Sequence, residues 1–187
     1  MTTTETTSAE EAPDSLAERV NNRSRRPSSD AFREFMGSQW GPRPDPGITR
    51  SAVADYLPAR ATAAGEPFAG ERLVIPAGSY KVRSNDCTYR FRAYSAFAHL
   101  SGLGQEREPD SVIVLEPLPE GGHEAVLYFK PRTSRSSQEF YSDSRYGEFW
   151  VGARPSLEEV SAETGLRCEH IDTLRDALAK DAGVVRL

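Results

Sequence analysis

The chain's apolar positions change period as it runs. Over "SSDAFREFMGSQW", Phe32, Phe35, Met36 and Trp40 recur at helical spacing behind Ser28, Ser29 or Asp30 as a cap, which predicts an amphipathic helix with a docking stripe. "GPRPDPG" places Pro42, Pro44 and Pro46 within five residues and predicts a stiff extended connector. A second helix is expected from about Ile48, presenting Val53, Tyr56 and Leu57, with Pro58 ending or kinking it.

The pattern then shortens. "RLVIPAG", "SVIVLEP" and "HEAVLYFKP" are apolar or β-branched runs bounded by Pro and Gly, so each reads as a strand, and "LPEGG" suits a hairpin between the last two. "SSQEFYSDSRYG" reads as a short helix and turn, and "EFWVGAR" as a further strand. Neighbours in an extended chain face opposite ways, so Phe149 and Trp150 are expected to part, one facing inward and one outward. "PSLEEVSAETG" carries a Pro-Ser start and a Gly165 stop for a helix. "LRCEHI" follows as a strand, "DTLRDALAKDAG" as a helix and "VVRL" as a strand. Together these predict an α/β fold, a mixed β-sheet flanked by helices in about three layers.

Composition narrows the class. Residues 1–27 contain no aromatic side chain and are rich in Thr, Ser, Glu and Arg, so they are read as a disordered tail ahead of one domain over 28–187. With 187 residues and 37% hydrophobic content there is room for one medium core. The net charge is -5, with 23 Lys and Arg scattered among 28 Asp and Glu, which argues against nucleic acid or an anionic membrane as the main partner. Cys87 and Cys168 stand far apart without neighbouring cysteines, so neither a zinc ribbon nor a disulfide scaffold is expected. The N-terminus has no apolar stretch of signal-peptide length, and no run of 18 apolar residues occurs, so a soluble cytoplasmic protein is expected.

Catalytic signatures are missing in informative ways. A zinc helix beginning at His123 needs a second His where Leu127 stands. The third glycine of a dinucleotide fingerprint beginning "GLG" falls at Arg107. His99, His123 and His170 are widely spaced, no Gly-x-Ser-x-Gly elbow is present, and no acid and base pair emerges. Two regions concentrate aromatic and polar residues instead. One is "RSNDCTYRFRAYSAFAHLSG", with Tyr89, Arg90, Phe91, Arg92 and Tyr94; the other is the Phe149–Trp150 pair. Each reads either as core aromatics edged by arginine or as a binding surface.

At these residues the chain resembles the N-terminal domain of the Xaa-Pro aminopeptidases, the aminopeptidase P branch of the creatinase and prolidase group. "ERLVIPAG" is similar to that family's first strand. "YRFRAYSAFAHLSG" matches its Tyr-x-x-Arg-x-x-Ser-Asp-Phe-x-Tyr-Leu-Thr-Gly stretch at Tyr89, Arg92, Ser95, Phe97, Leu100 and Gly102, departing from it at Ala96 and His99. "EPDSVIVLEP", "HEAVLYFKPR" and "EFWVGARPSLEEVSAETG" resemble the strand pair and the Trp-containing segment that follow. The resemblance implies an enzyme that removes the first residue from peptides with proline second. Its catalytic residues and two divalent metals, commonly manganese, lie on a C-terminal catalytic domain absent from this sequence. It also implies a homo-oligomer, dimer or tetramer, and no catalytic residue, metal ligand or cofactor in this chain. It further implies that Trp150 faces the substrate pocket, often a neighbouring subunit's, while Phe149 faces the domain core; ordinary packing of Trp150 is the alternative. A freestanding binding module of the same fold, or an unrelated small α/β hydrolase, are the other readings, and the terminal "VVRL" strand favours a chain that continues.

Overall fold

The computed structural model describes residues 29–85, 87–180 and 183–187; the tail expected over 1–27 lies outside them. Five strands form one mixed sheet in the order β6-β5-β4-β1-β7. They are β1 (Arg72–Pro76), β4 (Val112–Pro117), β5 (His123–Phe129), β6 (Arg167–His170) and β7 (Val185–Arg186). The central pairs β1–β4 and β4–β5 are antiparallel, whereas β5–β6 and β1–β7 are parallel.

Alternation sorts the two faces. Leu73, Ile113, Leu115, Leu127 and Phe129 point to one side, where they meet Leu57 and Ala61 of helix α2 (Leu57–Gly65), Phe97 and Leu100 of α3 (Ser95–Ser101), and Val160 of α6 (Leu157–Thr164). Val114, Val126 and Tyr128 point to the other, under Ile171 and helix α7 (Leu174–Ala179) with its Leu174, Ala177 and Leu178. Apolar residues on both faces need cover on both, so the α/β arrangement has three layers, as the patterning predicts. The β4–β5 hairpin closes where the Leu118 N–H donates to the Gly122 carbonyl at 3.0 Å, and Gly121 and Gly122 both take positive φ there.

Local signals account for several boundaries. Ser29 caps α1 (Asp30–Gly37) through a bond from the Phe32 N–H, and Ser156 with Glu159 forms a reciprocal capping box on α6, which ends at Gly165 in the left-handed region. Replacing Ser156 with Ala should lower the unfolding free energy by about 1 kcal/mol in urea titration, because the Glu159 N–H loses its hydroxyl acceptor. No change in the denaturation midpoint would show that the box is not stabilising.

Two expectations are corrected. Pro58 sits in the first turn of α2 and opens that helix instead of ending it, since its missing N–H falls where no intrahelical partner exists. "EFWV" is not a strand but the one-turn helix α5 (Glu148–Val151). The Val151 N–H donates to the Gly147 carbonyl at 3.1 Å and the Gly152 N–H to the Glu148 carbonyl at 3.1 Å, so the backbone is satisfied without a sheet partner. A further two-stranded hairpin, β2 (Val82–Ser84) with β3 (Cys87–Thr88), has no counterpart in the sequence reading.

Candidate functional site

Helix α5 and the preceding α4 (Gln138–Ser142) carry a continuous series of rings. Trp40 packs edge-on to Phe140 at 4.9 Å and to Phe149 at 6.1 Å, and Phe149 packs edge-on to Trp150 at 5.7 Å. Such edge-to-face contacts place the positive ring edge on the negative ring face. Trp150 is also tied at its polar end, because its Nε1–H donates to the Tyr141 carbonyl at 2.7 Å. The indole is therefore oriented yet 59% exposed.

Phe149 departs from the expectation that it faces the core. It is 50% exposed and joins the same outer series, because adjacent residues of a one-turn helix are separated by about 100° and need not straddle a sheet. Trp150 stands outward as the outward member of the pair, and Phe149 stands beside it.

Beneath the rings lies a buried polar frame. Arg154, nine-tenths buried, donates to Glu108 at 3.1 Å and to the Tyr146 carbonyl at 3.5 Å, and its guanidinium lies 5.1 Å from the centre of the Tyr146 ring. Burial pushes the Glu108 carboxyl above its ordinary range, more than Arg154 and Arg107 draw it down. The Tyr146 hydroxyl donates to Asp110, which Arg145 also holds. Burial first, and then that bond to Asp110, pushes the Tyr146 phenol up to about 12. Burial works to raise Asp110 too, but the hydrogen bonds from Tyr146, Arg145 and Ser79 outweigh it and leave the carboxyl below its usual value. Each of these charges is spent on another residue of the chain, so the frame holds geometry and offers no free acid or base.

The frame also borders a cleft of about 710 Å³ between the Pro42–Pro46 connector and α6. Its walls are ion pairs: Arg43 with Glu148, Arg132 with Glu159, and Arg107 with Glu163 at 2.7 Å. Through Arg43, the connector read as stiff and irregular is fastened to α5 itself, with a second bond to the Thr133 carbonyl at 2.7 Å. The partners lie 105 residues apart in the chain.

Among the described residues no group of three or more His, Cys, Asp and Glu side chains is arranged to hold a metal ion. His123 makes a bond of 2.8 Å to the Glu71 carbonyl, and His170 accepts from the Asp172 N–H; both are engaged locally. Burial, followed by the charge of Glu169, pushes the Cys168 thiol up to about 12, far from a nucleophilic thiolate.

The family model for the aminopeptidase P N-terminal domain matches residues 57–185. The chain belongs to this family. It is 40% identical over 145 residues to Xaa-Pro aminopeptidase 2 of Streptomyces coelicolor and 41% identical over 160 residues to Xaa-Pro aminopeptidase 1 of the same organism. Those alignments cover 78% and 85% of this chain, which spans 30% and 31% of the two relatives' lengths. Aminopeptidase P of Escherichia coli in its low-pH form superposes with a TM-score of 0.53 at 23% identity, over 67% of this chain and 26% of that one. Proline aminopeptidase P II of Yersinia pestis gives 0.53 at 24% identity, again over 67% and 26%. At these identities the superpositions establish the fold. The family match takes in Trp150, Arg154, Glu108 and Asp110, and leaves α1, Trp40 and Arg43 outside its bounds. Sequence reasoning reached Trp150 but not Arg154, Glu108, Tyr146 or Asp110. Nothing within a few residues of any of them announces a partner 36 or 46 positions away.

No helix among the described residues is long and apolar enough to cross a membrane.

Proposed function

We propose that this chain is the N-terminal part of a Xaa-Pro aminopeptidase and that it walls the peptide site, while the hydrolytic groups and a pair of divalent metals, manganese in this reading, belong to a C-terminal catalytic domain. The observation that carries the reading is the Trp150 indole, oriented by its bond to Tyr141 and by Phe149 while more than half its surface is open. A flat ring already fixed in place loses little entropy on meeting an apolar ligand, and a proline ring is a rigid apolar body of matching size. The family membership and the similarity to two Xaa-Pro aminopeptidases support the substrate class, Xaa-Pro peptides. Assembly of the full-length protein into a dimer or tetramer, and a cytoplasmic location, complete the proposal.

In the full-length protein, Trp150→Ala should lower kcat/KM for a Xaa-Pro peptide by about tenfold, the scale of losing one well-packed aromatic contact. Trp150→Phe should retain much of the activity because a ring remains. The folded state should change little, since the indole is mostly exposed. Unaltered kinetics in Trp150→Ala would remove this side chain from the site.

A further inference from the structure

A second concave site lies beside the β2–β3 hairpin, away from the ring series. Its cleft, about 270 Å³, includes Lys81, Arg90, Arg92, Tyr89, Tyr94 and Ser95 and, among the described residues, is lined by no carboxylate. That composition is unusual for this molecule. The chain carries a net charge of -5, and five arginines outside the cleft, Arg43, Arg72, Arg107, Arg132 and Arg154, each pair with a glutamate. Among the described residues Arg90 is the one cation of the cleft in an ion pair, at 3.4 Å to Glu106, and it is largely exposed. The side chains of Lys81 and Arg92 make no hydrogen bond or ion pair among the described residues. Of the described acids nearby, Glu106 is held by Arg90 and Asp110 by Arg145 and Tyr146.

The backbone beside the cleft is open as well. Among the described residues β2 pairs with β3 alone, which leaves β2 an open edge, and Val82 on it is 70% exposed. Lys81 and Tyr89 flank the hairpin and are joined by the bond from the Tyr89 N–H to the Lys81 carbonyl at 2.9 Å. Tyr94 packs over Gly78, whose φ is +87°, and a Cβ there would meet that ring at 3.0 Å. The phenol is thus seated at the cleft by close contact with bare backbone.

We infer that this cleft binds an acidic peptide segment, its carboxylates meeting Lys81 and Arg92 and its extended backbone lying along the open hairpin edge. Free cations without a compensating acid favour an anionic group, and an unpaired strand edge favours an extended polypeptide. A nucleic acid is disfavoured because a phosphate backbone extends well beyond two free cations.

The test is fluorescence anisotropy of a fluorescein-labelled tetraglutamate peptide added to the intact chain at low salt, with a labelled tetralysine peptide and a labelled oligothymidine as competing probes. Tetraglutamate should bind saturably, and Arg92→Ala or Lys81→Ala should each weaken it by about tenfold, the worth of one charge-assisted contact. Arg92→Lys should keep most of the affinity, and Arg50→Ala, at an arginine paired with Asp55, should leave it unchanged. Both cations are exposed, so the variants should melt as the parent does. Absence of tetraglutamate binding, binding indifferent to Lys81 and Arg92, or tighter binding of oligothymidine through those residues would each overturn the proposal.

Discussion

Phe97→Ala should lower the unfolding free energy by about 3–5 kcal/mol, the range for removing a fully buried aromatic ring. Phe97 has no exposed surface and fixes α3 onto the sheet face formed by Leu73, Ile113, Leu115, Leu127 and Phe129. The loss has two parts: apolar area returned to water, and a cavity that the surrounding strands cannot close, because their hydrogen-bonded register holds them in place. Urea titration of the variant and of Phe35→Ala separates core from surface, since Phe35 is strongly exposed and its loss should cost well under 1 kcal/mol. Equal costs at the two positions would mean that α3 is not anchored through this ring.

Arg154→Met should cost a similar amount, about 3–5 kcal/mol at neutral pH, because it strands Glu108, which is 4% exposed, without its guanidinium and frees the Tyr146 carbonyl. Met keeps much of the side-chain volume, so the effect is electrostatic more than a matter of packing. A double-mutant cycle with Glu108→Gln should show coupling, with the double variant more stable than the sum of the single losses.

The pair also sets a pH dependence. Glu108 has an unfolded value of 4.5 and a raised value in the folded protein, so the folded state keeps its proton to higher pH than the unfolded chain does. Its favourable contribution is therefore complete below about pH 4.5 and is lost as pH rises through the folded value. Stability measured against Glu108→Gln should show the parent losing ground as pH increases above 4.5. A flat difference, or one that grows, would mean that Arg154 outweighs burial at this carboxyl.

Much of the fold was legible locally. Strands β1, β4, β5 and β6 and helices α1 and α6 follow from period, caps and glycine stops, all written within a few residues of each boundary. The misreadings have one cause. "EFWVGAR" has the composition of a strand, yet its amide donors find acceptors within their own turn, Val151 on the Gly147 carbonyl and Gly152 on the Glu148 carbonyl. Gly147 meanwhile approaches the carbonyls of Glu139, Phe140 and Asp143 so closely that an added Cβ would lie within 2.6 Å of each, which binds α5 down onto α4. Pro58 has the same ambiguity: a proline breaks a helix or starts one according to whether a turn precedes it, and Ala54–Tyr56 forms only a 3-10 turn there.

The amino-acid order alone determined the sheet's strands, the family, and Trp150 as a residue of interest, because periodicity and motif act over short spans of chain. Tertiary structure alone decided that Phe149 stands beside Trp150 in the open, that Arg154 and Glu108 form the frame beneath them, and that Lys81 and Arg92 face a cleft lined, among the described residues, by no acid. Those facts depend on which distant side chains come within a few ångströms, and so on the free energy of burial and pairing across the whole core.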